Sequence, residues 1–140
     1  MARFEINTPG QNRPGEDQAP RKFVLKEKVK EMMKYALPLL DAFPRRNRKL
    51  ADVMRERILQ VHTTVIRLEM KYSKKTTLEE LDIALADLKD LVEIASDRDY
   101  CGAKFAPPLT MQQREVWSRY NAEIGRMIGG YKKAIESKNG

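Results

Sequence analysis

A chain of 140 residues, 41% hydrophobic and 34% charged, is long enough to bury one core and too apolar to stay disordered. A single cysteine and a single histidine exclude an internal disulfide and leave too few ligands for a Cys/His metal site or a Cys/His nucleophile. The formal net charge is +7, no apolar run approaches the roughly 20 residues of a membrane span, and no apolar N-terminal segment marks secretion, so a cytoplasmic, membrane-free protein that meets a polyanion is expected.

Residues 1–21 carry Pro9, Gly10, Pro14, Gly15 and Pro20 among Asn, Gln and charges, which predicts a flexible arm; residues 22–140 are expected to form one bundle domain. A first helix is predicted over 23–42, with Leu25, Val29, Met32, Ala36, Leu39 and Phe43 spaced by three or four. Pro38 should kink it, because proline lacks a backbone donor, and Phe43-Pro44 should end it. A second helix covers 48–72 on the seam Leu50, Met54, Ile58, Val61, Val65, Leu68 and Tyr72.

The third helix is expected to open at Thr77-Leu78-Glu79-Glu80, a capping box in which hydroxyl and carboxylate satisfy orphan amides. Its seam is Leu78, Leu81, Leu85, Leu88, Val92 and Ala95, and Gly102, Pro107 and Pro108 mark a break over 97–108, where Cys101 reads as an incidental thiol. A fourth helix opens in the same way at Thr110-Met111-Gln112-Gln113 and presents Trp117, Tyr120, Ile124, Met127, Tyr131 and Ile135. No segment alternates with a strand period. The expected fold class is all-α, an antiparallel up-down four-helix bundle.

Charge is sorted by segment. Residues 45–75 hold ten Lys/Arg against three acids, net +7, whereas residues 76–99 hold eight acids against Lys89 and Arg98, net −6. Arg48 and Arg55, seven apart, project to one side of the second helix; Lys49, Arg67 and Lys71 project to another, and Arg45, Arg46, Lys74 and Lys75 crowd its ends. Lys and Arg meet phosphates through charge, Arg also through its planar fork, and released counterions supply much of the affinity. A basic surface that binds nucleic acid is therefore one reading, and a solvated helix face the other. His62, with no second histidine to join it, reads as a flank residue.

Behind the seams lies a second apolar set: Leu59, Ile66 and Met70 on the second helix, Ile83 and Ile94 on the third. Two adjacent helices with such back faces predict a subunit interface, hence a homo-oligomer. No catalytic residues, cofactor or metal ligands are assigned. There is no glycine-rich phosphate loop or nucleophile elbow, and the acids of 79–93 form a solvated face. No seam position carries the Arg or Lys that an all-helical enzyme would need to hold an anionic substrate.

The run Glu123-Ile124-Gly125-Arg126-Met127-Ile128-Gly129-Gly130-Tyr131 resembles the C-terminal signature of the accessory variability determinant (Avd) of diversity-generating retroelements. The Phe43-Pro44-Arg45 stop, the basic second helix and the leucine-rich third helix are similar to the same family. The resemblance covers about residues 23–133, and is shared more loosely with four-helix proteins encoded in intervening sequences of large ribosomal RNA genes. It implies a homopentameric ring of cationic bundles, not itself an enzyme, that binds a reverse transcriptase and its template RNA and enables mutagenic cDNA synthesis. It further implies that the Phe43-Pro44-Arg45 corner, Arg48, Lys49, Arg55, Arg57 and Arg126 contact nucleic acid or polymerase. The glycines of this run, each costing up to about 1 kcal/mol in a helix, suggest close helix approach or a local bend. The competing expectation is an oligomeric scaffold, or a ribosomal RNA intervening-sequence protein, with no polymerase partner.

Overall fold

The computed structural model describes residues 21–70, 74–102 and 104–139. The chain is all-helical there, with no strand among the described residues. Four long helices, α1 (Arg21–Asp41), α2 (Arg48–Met70), α3 (Lys74–Ser96) and α5 (Met111–Asn139), form a bundle, and a single helical turn, α4 (Arg98–Cys101), lies between α3 and α5. A short 3-10 turn, Arg45–Asn47, leads into α2. Each long helix packs on its neighbours in the chain and α5 closes on α1, whereas the backbones of the diagonal pairs α1/α3 and α2/α5 lie farther apart among the described residues. Among the described residues no helix is long and apolar enough to cross a membrane.

The core follows the predicted spacing with local shifts. Leu25, Val29, Met32, Ala36, Leu40 and Phe43 face Ala51, Met54, Ile58, Val61, Val65 and Leu68; Leu78, Leu81, Leu85, Leu88, Val92 and Ala95 complete the other side with Trp117, Ile124 and Ile128. Leu39, Leu50 and Tyr120, predicted on the seams, are only half-buried, and Leu40, Ala51 and Asn121 take the innermost positions beside them. Adjacent residues lie 100° apart around a helix, so a seam read from large apolar side chains alone can be one position out. Asn121 is the cost of that blind spot. It is 1% exposed, and neither its Oδ1 nor the Trp117 Nε1–H one turn before it has a partner among the described residues.

Two predicted helix starts fare differently. At α5, Thr110 Oγ1 accepts from the Gln113 N–H and Gln113 Oε1 accepts from the Thr110 N–H, both at 3.0 Å, the reciprocal capping box read from the sequence. At α3 the helix already runs from Lys74, which places Thr77 in its fourth position and buries it. The apolar period begins only at Leu78, so it cannot report a polar turn that precedes it. Arg21 is helical, the first residue of α1, while the rest of the predicted arm and the Tyr72 end of the second helix lie outside the described residues. Helix α1 continues through Pro38, which sits near its end and is exposed.

The break predicted over 97–108 is a folded connection. Asp97 caps α4 by accepting from the Asp99 N–H at 2.9 Å, and Gly102, with φ +89°, ends the turn in a conformation that side chains resist. The Phe105 N–H then donates to the Gly102 carbonyl (3.3 Å), and the Leu109 N–H to the Ala95 carbonyl at the end of α3 (3.1 Å). Leu109 is buried, and so ties the connection into the core.

Candidate nucleic-acid interface

The cations of residues 45–75 do not share one fate. Arg57 Nε donates to Asp87 Oδ2 on α3, Arg67 Nη2 to Glu80 Oε1 at 2.7 Å, and Arg55 bridges Asp41 (2.8 Å) and Asp52 (3.2 Å). The acidic third helix thus neutralises part of the basic second helix within the same chain. Across α3 and α5, Lys132 donates to Asp82 at 2.7 Å, a contact that lifts the ammonium pKa above its usual value. Such half-exposed pairs add little to stability, and they take up charge that an external polyanion would otherwise meet.

Of the cations left without an acidic partner among the described residues, four share one corner. Arg45 and Arg46 of the 3-10 turn and Arg48 and Lys49 in the first turn of α2 are exposed, and none has an acidic partner among the described residues. Their position is electrostatically unfavourable for the isolated fold, because unpaired amides make the start of a helix positive and acids are stabilising there, by about 0.3–1 kcal/mol each. The first turn of α2 holds no acid. Four cations thus stand together where a helix start already carries positive potential, with no acid of the described residues beside them.

The connection from α3 to α5 completes this corner and was missed from sequence. Arg46 lays its guanidinium 4.1 Å from the centroid of the Phe105 ring, and Tyr100 on α4 is exposed. An aromatic beside Lys104 in a Gly/Pro-rich stretch was the available signal; periodicity, which finds only helix seams, passes over it. Cys101 is half-buried near the same place. Burial first, and Asp97 second, push its thiol pKa up while Arg46 pulls it down, and its thiol donates to the Ile94 carbonyl at 3.8 Å. These surroundings disfavour the thiolate, the reactive form of a cysteine.

The other expected site residues are dispersed. Lys74 and Lys75 start α3, and Lys75 lines a small groove with Glu79, Lys132 and Glu136, on the opposite side of the Arg67–Glu80 and Lys132–Asp82 pairs from the Arg45 corner. Arg126 is exposed on α5, and Lys71 lies outside the described residues. Close helix approach does not explain the glycines. A Cβ at Gly125 would meet Leu85 and Lys89 at ordinary contact distance, and one at Gly129 or Gly130 would meet nothing within 4 Å.

The expected interface residues fall on two edges rather than one. Leu59 and Ile66 sit three and four positions from His62, which lines a shallow groove of about 470 Å³ with Met33, Leu37 and Pro38 of α1. Ile83 sits three and four positions from Glu80 and Asp87, on the edge of α3 that pairs with α2. Ile83 is 70% exposed and Met70 78%; Leu59 is also exposed, whereas Ile66 and Ile94 are half-buried.

No curated protein matches the sequence significantly. Residues 23–135, which take in most of α1 and α5, all of α2 and α3, the cationic corner and the glycine-containing run of α5, match the family described as bAvd-like, and the chain belongs to that family.

Proposed function

We propose that this bAvd-like chain is the non-catalytic accessory protein of a diversity-generating retroelement, binding the reverse transcriptase and its template RNA so that mutagenic cDNA synthesis can start. The observation that carries the reading beyond family membership is the unpaired cluster Arg45, Arg46, Arg48 and Lys49 at the start of α2. It is read as a phosphate-facing surface: four exposed cations, without an acidic partner among the described residues, whose counterions a polyanion would release. Arg55 and Arg57 have a second part, steadying α2 against Asp41 and α3 while remaining at the edge of that surface.

The bundle is read as up-down and antiparallel. Arg57 meets Asp87 while Arg67 meets Glu80, and Lys28 meets Glu123 while Tyr35 meets Tyr120, so residue numbers rise on one helix as they fall on its neighbour. The assembly is read as a pentameric ring. Two different apolar edges, one at Leu59 and Ile66 and one at Ile83, suit the head-to-tail contacts from which closed rings are built. A second reading, an oligomeric scaffold or ribosomal RNA intervening-sequence protein without a polymerase, is favoured by the internal pairing of Arg55, Arg57 and Arg67.

The test is co-purification. The tagged chain should retain the reverse transcriptase encoded beside it together with that element's template RNA, and RNA affinity should fall steeply with salt, its logarithm dropping by about 0.7 to 0.9 per phosphate neutralised. Retention of neither partner, with a flat salt response, would favour the scaffold.

A further inference from the structure

We infer that the corner formed by the Arg45–Asn47 turn and the α3–α5 connection holds an unpaired nucleobase of single-stranded RNA, stacked on the Arg46–Phe105 pair, with Arg45, Arg48 and Lys49 on the flanking phosphates. The inference rests on the nucleic-acid reading above and narrows it to a strand state and a stacking residue. Phe105 is 44% exposed between two exposed neighbours, Lys104 and Ala106. Burial cannot be the reason for an aromatic there. Its placement is nevertheless determined: the Gly102 turn fixes its backbone, the buried Leu109 anchors the chain that follows, and the Arg46 guanidinium lies over the ring.

An arginine guanidinium held over an exposed phenylalanine ring offers a base a place to lie, because every base has a π-face and both partners attract it. Bases in a duplex are already stacked inside it. Only an unpaired strand can splay one out, and single-strand recognition in general combines such aromatics with a cationic track for the backbone. Arg48 and Lys49 at the start of α2 and Arg45 just before it have no acidic partner among the described residues and lie within three residues of Arg46, whereas the cations farther along α2, Arg55, Arg57 and Arg67, are engaged with acids. The unpaired charge and the exposed ring therefore coincide.

Fluorescence anisotropy on the full chain tests this with two probes of equal phosphate number, an unstructured oligoadenylate and a blunt RNA duplex, at one fixed near-physiological salt. Phe105→Ala should weaken oligoadenylate binding about tenfold or more and change duplex affinity less than about twofold. Phe105→Leu keeps an apolar group on the arginine stem but has no π-face, and should behave like Phe105→Ala; Phe105→Trp should bind the single strand at least as tightly as wild type. Lys49→Gln should weaken both probes alike and shallow the salt dependence by about one phosphate. If Phe105→Ala binds the single strand as wild type does, or loses both probes equally while folded by circular dichroism, the stacking site is overturned and the phosphate surface stands. If wild type binds neither probe, the nucleic-acid reading fails with it.

Discussion

Gly102 is the residue on which the candidate site's geometry turns. With φ +89° and ψ 141° it lies in a region that costs a residue bearing a Cβ about 1–3 kcal/mol, although an added Cβ would meet only the Phe105 ring edge, at 4.0 Å. Gly102→Ala should therefore lower unfolding free energy by roughly that amount in urea denaturation, through backbone strain and not through a clash. An unchanged midpoint would mean that the turn relaxes freely and does not hold Phe105 in place. Residue-scale features were unevenly legible in the sequence. The Thr110/Gln113 box was, because capping needs specific side chains at fixed spacing; Thr77 had the same pattern but lies inside α3, and buried Asn121 was hidden behind the larger Tyr120.

Among elements, the opposite charges of α2 and α3 have their first use within the chain. The Arg57–Asp87 pair is about one-third to one-half exposed, so reversing one member should cost about 1 kcal/mol or less, mostly by setting two carboxylates side by side. Arg57→Glu should lower stability by that amount, and Arg57→Glu combined with Asp87→Arg should recover most of it in a double-mutant cycle. Equal stabilities throughout the cycle would show that the pair carries no net energy. The helices themselves were legible from their three- and four-residue spacing, which is a direct image of the buried stripe. The α4 turn and the Arg46–Phe105 contact were not, because a connection pinned by one cap, one glycine and one buried leucine leaves no period to read.

At the scale of the whole molecule, the proposed ring needs both apolar edges, Leu59 with Ile66 and Ile83. Light scattering should give an oligomer near five copies at micromolar concentration, and Ile83→Glu should shift it toward smaller species by placing an unpaired charge in an apolar contact. A wild-type monomer would remove the ring. Family membership was legible in the α5 run and the Phe43-Pro44-Arg45 stop, but which basic residues stay unpaired was not, since that depends on which acids of α3 come opposite. The central claim is that the unpaired corner enables a polymerase, and cDNA synthesis by the cognate reverse transcriptase on its own template RNA tests it most directly. The comparison is wild-type protein, the Arg45→Glu, Arg48→Glu, Lys49→Glu triple variant, and no added protein. The variant breaks no ion pair among the described residues, so it should fold and assemble as wild type does and yet give product near the level without protein, because like charges now face the phosphates. Wild-type yield of cDNA from the folded, reversed variant would contradict the account.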